Sequence, residues 1–289
     1  MQNVRQSIAK TGSGDPTLNS SRWAALAEPF SRDGAVCMRR ALDHDLVARL
    51  QEATERVLSS PSQFGEAYGG EAGASSFRGD KFMWMRDPDF HALALASDVP
   101  HIAAAVMNSS RVNLFYDHLL VKQPGSDVPT KWHNDQNYWP IEGRQICSVW
   151  IALDHVDQSN GRVGFVRGSH LWPQRFQPMD FTRMSPIIDP DYLPVPDIDG
   201  NPGDYEILAW DLDPGDCVVF SGLCLHGAPG NQTTRTRRAV SVRYAGDDVR
   251  FAVKRKSIPF PHDPGLRHGD RLSGDLFPVA TEPRKMTTT

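Results

Sequence analysis

The sequence predicts a mainly β protein whose strands build a double-sheet jelly roll, with helices packed on its outer face. Three observations carry this. Helical spacing of apolar residues is confined to the first third of the chain. After Arg111 the pattern changes to short strand-like runs broken by Gly, Pro, Asn and Asp. Residues able to ligate a metal are spread over those runs, as suits a double-stranded β-helix of the cupin-like kind.

Taken in order, residues 1–20 are polar and aperiodic, and are expected to form a flexible N-terminal tail. Trp23, Leu26, Ala27 and Phe30 recur at helical spacing, with Ser20 or Ser21 as cap and Gly34 as stop. Ala35-Val36-Cys37-Met38 reads as a strand. Asp43 can cap a second helix carrying Leu46, Val47, Leu50, Val57 and Leu58. Residues 61–80 turn Gly- and Ser-rich, which fits either a lid over a site or a plain surface loop. Lys81 to Arg86 is an apolar run with a cation at each end. Residues 87–96 and 98–107 read as short helices, the second with Pro100 in its first turn.

Strands are then expected over 112–122, through Lys131 to Trp139, and over 145–153. Asn160-Gly161 marks a tight turn, and 162–166 runs into Gly168-Ser169-His170. Residues 173–202, rich in Pro and Asp, predict a long excursion with little regular structure. Further strands fall at 205–208, at 217–220 leading to His226, and at 237–244. The polar, Pro-rich end from Pro259 predicts a loose C-terminal tail. With no repeat and no linker, residues 21–289 are expected to form a single domain.

At 289 residues the chain can bury roughly three quarters of its unfolded surface. Its 31 Lys+Arg against 35 Asp+Glu leave a net charge of −4 with no basic block, which argues against nucleic acid as a partner. No apolar run is long enough for a membrane span, and the first twenty residues lack the apolar core of a signal peptide, so a cytoplasmic protein is expected. The four cysteines lie among apolar residues without CxxC spacing and read as reduced thiols. Oligomeric state leaves no trace, and a homodimer is compatible with the chain.

The chemistry centres on Lys131-Trp132-His133-Asn134-Asp135-Gln136-Asn137-Tyr138-Trp139. On a strand, His133 and Asp135 project to one face. His226 can supply a third ligand. Two histidines and one carboxylate on one side of a metal is the donor set of non-haem Fe(II) oxygenases. A bare His-x-Asp triplet is also what a surface histidine beside a turn would look like, but Trp132, Tyr138 and Trp139 suit a buried wall better.

The pieces "RDGAVCMRRAL", "KQPGS", "WHNDQNYWP", "SVWIALDHVDQSNGRVGFVRGSH", "DLDPGDCVVFSGLCLHG" and "NQTTRTRRAVSVRY" occur in the order found in one family. From about Ser31 to Tyr244 the chain resembles the phytanoyl-CoA dioxygenase family of Fe(II)/2-oxoglutarate oxygenases. The resemblance implies Fe(II), 2-oxoglutarate as cosubstrate and O2, with His133, Asp135 and His226 as catalytic metal ligands. It also implies an arginine eleven residues after the second histidine, here Arg237, gripping the far carboxylate of 2-oxoglutarate. A guanidinium forks onto a carboxylate and stays charged in a dry pocket. Alone, Arg237 would read as one of a surface run with Arg235, Arg238 and Arg243; Arg238 should point outward.

Trp150 resembles the family's cosubstrate wall, and Gln123, Thr130 and Ser241 are candidate polar neighbours of the cosubstrate. Asn160, Gly161, Gly168 and His170 match positions read as structural. Arg167, Ala228 and Thr130 depart from residues common in relatives. Because Asp135 is present where related halogenases carry a small residue, halogenation is not implied.

Oxidation of an unactivated C–H bond follows from the resemblance, with hydroxylation as default and desaturation or cyclisation as variants. The substrate side is assigned to Tyr68, Phe77, Met83, Trp84 and Met85 with Asn137 and Trp139, an aromatic and mostly apolar set. It fits a small hydrophobic metabolite of secondary metabolism. Alternatives are an acyl-CoA hydroxylase, a non-catalytic jelly-roll binding protein, and a Zn(II) hydrolase, which would have no use for Arg237.

Overall fold

The structure is a computed structural model that describes residues 21–68, 77–254 and 257–281. Its helices are α1 (Ala27–Asp33), α2 (His44–Ser59), α3 (Pro88–His91) and α4 (Val99–Val106). The first eight strands are β1 (Ala35–Met38), β2 (Glu66–Tyr68), β3 (Phe77–Lys81), β4 (Val112–Lys122), β5 (Thr130–His133), β6 (Ile141–Glu142), β7 (Ile146–Ala152) and β8 (Gly164–Val166). The rest are β9 (Met179–Asp180), β10 (Ser185–Pro186), β11 (Ile207–Ala209), β12 (Cys217–Ser221), β13 (His226–Ala228), β14 (Arg237–Ala245), β15 (Arg250–Phe251) and β16 (Val279–Thr281).

Local rules shape the helical front. Asp43 is extended, and its carboxylate accepts from the Leu46 backbone N–H at 2.7 Å, satisfying one of the free donors at the start of α2. The face carrying Leu46, Val47, Leu50 and Val57 is buried. α1 ends where Gly34 adopts a φ of 85°. The one helix expected from Trp23 to Phe30 is interrupted at residues 25–26. Pro29 has no N–H to continue the ladder from upstream, so the helix restarts with Pro29 in its first turn. Trp23 and Phe30 still share one core.

The larger sheet runs β1-β12-β7-β14-β4-β3-β2, with β16 also on β4; the smaller runs β11-β8-β13-β5. All of these pairings are antiparallel. The Phe165 ring (β8) lies 5.0 Å from the Phe220 ring (β12), so side chains of the two sheets meet in a jelly roll. Side-chain alternation divides the large sheet. Cys147, Val149 and Ile151 of β7 and Val240, Val242 and Tyr244 of β14 pack with the helices. Their alternates (Ser148, Trp150; Arg237, Ser241, Arg243) face the smaller sheet. Every face of this sheet is thereby covered, which explains why β7 and β14 are buried along almost their whole length.

Three expectations are corrected. Within 61–80, β2 and β3 pair with each other, and β3 adds to β4. Tyr68 and Phe77 therefore sit on the sheet, not on a lid, and residues 69–76 lie outside the described residues, as does the expected tail 1–20. The motif strand stops at His133; a 3-10 turn follows over Asp135–Tyr138, because the chain must bend away from the sheet to enclose the pocket. The end of the chain from Pro259 to Thr281 is not a loose tail. Leu272, Leu276 and Phe277 are buried against Phe115, and β16 pairs with β4. Its few apolar residues are spaced among prolines, so no periodicity announced them. Phe277→Ala is accordingly expected to cost about 3–5 kcal/mol of stability, read by denaturant unfolding; a loose tail would give no change. The four cysteines are free.

Candidate metal centre

His133 ends β5 and His226 opens β13, and the two are direct cross-strand partners, with ring centroids 4.2 Å apart. Asn134 remains extended (φ −119°, ψ 142°), so the residue two beyond His133 returns to the same side. That residue is Asp135, whose Oδ1 lies 3.6 Å from His133 Nε2. Ligand atoms of His133, Asp135 and His226 all lie within 4.8 Å of one another, and all three residues are buried.

Each histidine is oriented by its other nitrogen. His133 Nδ1 faces the Lys131 carbonyl at 2.8 Å, and His226 Nδ1 faces the Cys224 carbonyl at 3.1 Å. A carbonyl only accepts, so both Nδ1 atoms carry hydrogen and both Nε2 lone pairs are free for a metal. Burial, with the neighbouring His133, pulls the His226 pKa down to about 3, keeping it a neutral ligand. Burial alone would raise the Asp135 pKa, but the charge of the neighbouring Arg243 guanidinium opposes this and the carboxylate pKa is held down. Asp135 Oδ2 accepts from Ser148 Oγ at 3.0 Å. Two imidazoles and one carboxylate oxygen on one side, open on the other, fit Fe(II).

The triad lines a cavity of about 270 Å³. Arg237, buried on β14, lines it too, its guanidinium 5.4 Å from the Trp150 ring centroid. Among the described residues it has no ion-pair partner, and its Nε is buried without an acceptor. Burial lowers its pKa to about 10, so it stays charged at neutral pH. A buried cation left unpaired needs an anion, and a cosubstrate carboxylate fits that need. Ser241 Oγ is likewise buried without a partner and borders the same cavity. Arg238 points away, to Asp154 and Glu55.

Of the other residues singled out by sequence, Thr130, Tyr68, Phe77 and Trp139 line the cavity. Gln123 does not: its side chain accepts from Thr236 Oγ1 at 3.3 Å. Met83 and Trp84 pack in the core shared with the helices, because Phe82 turns left-handed (φ 60°) and throws the following 3-10 turn to that side; Met85 is exposed. Asn137 is buried behind the wall, donating to Asn134 Oδ1 at 2.6 Å and to the Phe176 carbonyl. Asn160 closes a capping box with Asp157 before Gly161 (φ 102°), and His170 Nε2 faces the Ser31 carbonyl, so both are structural. Arg167 is tied to Asp33 and Glu206.

Sequence reasoning missed several wall residues. Arg243 shares the parity of Arg237 along β14, which was the available signal. Lys81, Glu66 and His118 reach the cavity by strand register. Phe181 had no signal: it comes from the irregular excursion and sets its ring edge-to-face with His133, the centroids 4.7 Å apart.

A family model for phytanoyl-CoA dioxygenase (PhyH) matches residues 30–239. The peroxisomal phytanoyl-CoA dioxygenase of Rattus norvegicus is 26% identical over 159 residues, 53% of this chain and 46% of that protein. The multifunctional dioxygenase prhA of Penicillium brasilianum is 25% identical over 222 residues, 72% of this chain and 67% of that one. The match thus spans less than half of the rat protein. Among solved structures, the non-heme alpha ketoglutarate dependent epimerase SnoN from nogalamycin biosynthesis superposes with a TM-score of 0.71 at 24% identity, covering 92% of this chain and 100% of that one. Jelly roll and donor set together are those of a protein able to hold a metal ion by two histidines and one carboxylate. The chain belongs to the phytanoyl-CoA dioxygenase (PhyH) family.

Proposed function

We propose that this protein oxidises an unactivated C–H bond of a small, largely apolar metabolite, with hydroxylation as the default outcome. His133, Asp135 and His226 hold Fe(II), and Arg237, flanked by Trp150, Ser241 and Thr130, holds the far carboxylate of 2-oxoglutarate. The observation that carries this reading is one cavity containing both the three converging donors and an unpaired buried arginine. Iron held there would supply, with 2-oxoglutarate and O2, the oxidising power. The chain itself orients and excludes water. The two Nδ1–carbonyl contacts aim the imidazoles, Arg237 sets the cosubstrate's direction, and Phe181 and Tyr138 roof the His133 side.

An apolar substrate is supported by the remaining wall, where Met179, Phe181, Ile187 and Ile258 join Tyr138. A metabolite of secondary metabolism agrees with the SnoN neighbour, which is named for nogalamycin biosynthesis. An acyl-CoA is less well served. Among the described lining residues the lysines and arginines are Lys81, Arg237 and Arg243, all buried, and none remains at the mouth for CoA phosphates.

Anaerobic titration of the protein with Fe(II) and 2-oxoglutarate tests the reading. A visible metal-to-ligand charge-transfer band is expected. Iron binding without the band would remove 2-oxoglutarate from the account. No iron binding by folded protein would leave a non-catalytic jelly-roll binding protein as the better description.

A further inference from the structure

We infer that Arg243 is a positioning residue for the metal centre: together with Ser148 it holds Oδ2 of Asp135, so that the carboxylate meets the metal through Oδ1 alone. The inference rests on the metal-site reading proposed above.

The two oxygens of Asp135 have different surroundings. Oδ1 faces His133 Nε2 at 3.6 Å, toward the space between the donors. Oδ2 accepts from Ser148 Oγ at 3.0 Å and lies 3.5 Å from Arg243 Nη2. Strand register makes both contacts, since Arg243 on β14 pairs directly with Ser148 on β7. With Oδ2 so engaged, a bidentate carboxylate would have to give up the Ser148 hydrogen bond and loosen the Arg243 ion pair. One-oxygen ligation would leave both contacts in place.

Arg243 is built into place. Its guanidinium sits 4.5 Å from the Tyr116 ring centroid and 5.6 Å from that of Trp139. Tyr116 and Trp139 are themselves joined by a 2.8 Å hydrogen bond from Trp139 Nε1. On its outer side, Nη2 lies 3.4 Å from His118 Nδ1. That contact belongs to an ordered chain. The single hydroxyl hydrogen of Tyr68 goes to Glu66 Oε2 at 2.6 Å, so His118 Nε2, 2.7 Å from the same hydroxyl oxygen, must be the donor. His118 Nδ1 is then an acceptor and can take the guanidinium hydrogen. Lys81 Nζ closes the chain on Glu66 Oε2 at 2.6 Å. Every link has one donor and one acceptor, which a guanidinium with hydrogens only to give requires.

The test is the equilibrium affinity of the full chain for Fe(II) alone, measured anaerobically by competition with a chromogenic chelator. Band energy after 2-oxoglutarate addition and apo-protein melting are recorded alongside. Arg243→Met is expected to weaken Fe(II) binding about 10- to 100-fold, the range for losing a partner of a metal ligand. Arg243→Lys should recover part of that, restoring charge without the fork, and shift the band while apo melting stays at wild type. Ser148→Ala should weaken binding by a smaller factor. Wild-type affinity in Arg243→Met overturns the inference and leaves the iron-enzyme reading intact. Should Arg243→Met not fold, wild-type affinity in both Arg243→Lys and Ser148→Ala overturns it equally. A wild-type protein that binds no Fe(II) sinks both.

Discussion

Replacing His226 by alanine is expected to abolish the Fe(II)/2-oxoglutarate band and all 2-oxoglutarate turnover while leaving the protein folded. His226 is a neutral, buried imidazole whose ring lies among Phe165, Phe220 and His133. Its hydrogen bond is local, to the Cys224 carbonyl. Removing it takes away one of three ligands, and the loss in metal affinity should exceed the roughly 100-fold that loss of a supporting contact can cost. Asp135→Ala should behave differently. It removes a ligand and also strips Arg243 of its nearest anion in a dry pocket, which breaks a buried pair and costs about 3–5 kcal/mol of stability. Metal analysis with a thermal melt separates the two variants. If His226→Ala bound Fe(II) as tightly as wild type, the triad would be wrongly chosen.

Arg237→Leu should leave Fe(II) binding intact and remove 2-oxoglutarate binding. The guanidinium is buried, charged and without an anionic partner among the described residues, with Trp150 against its face. Truncating one member of a buried hydrogen-bonded charge pair costs about 2–5 kcal/mol, roughly 30-fold to several thousand-fold in affinity. Arg237→Lys should recover a minor part, since an ammonium cannot make the two-point contact. The readout is the 2-oxoglutarate concentration that half-saturates the charge-transfer band. An unchanged value in Arg237→Leu would assign the cosubstrate carboxylate to another cation of the cavity, Lys81 or Arg243.

Much of the centre was legible because it is written in short-range pattern. His133 and Asp135 are two apart, and a two-residue period survives even though the strand ends between them. Arg237 and Arg238 are adjacent on a strand, so one had to face inward and the other outward, and the structure separates them that way. Asp43 and Gly34 act as cap and stop because capping chemistry is local. Other assignments failed where the answer depended on the fold. Met83 and Trp84 are as aromatic and apolar as a pocket wall would be, yet a left-handed Phe82 sends them into the core. Gln123 has the right polarity but satisfies Thr236. Tyr68 and Phe77 do reach the cavity, by sheet pairing and not through a lid.

By itself the sequence carried the jelly-roll pattern and the shared face of His133 and Asp135, which follow from residue type and a two-residue period, while the choice of His226 and Arg237 entered through the family resemblance. Which residues complete the pocket was decided only by tertiary structure. The pairing of β14 with β7 and β4 brings Arg243 to Ser148, His118 and Asp135, and an irregular excursion lays Phe181 across His133. The physical reason is that periodicity along one strand sets which way a side chain points, whereas what it points at is set by register between strands far apart in the chain.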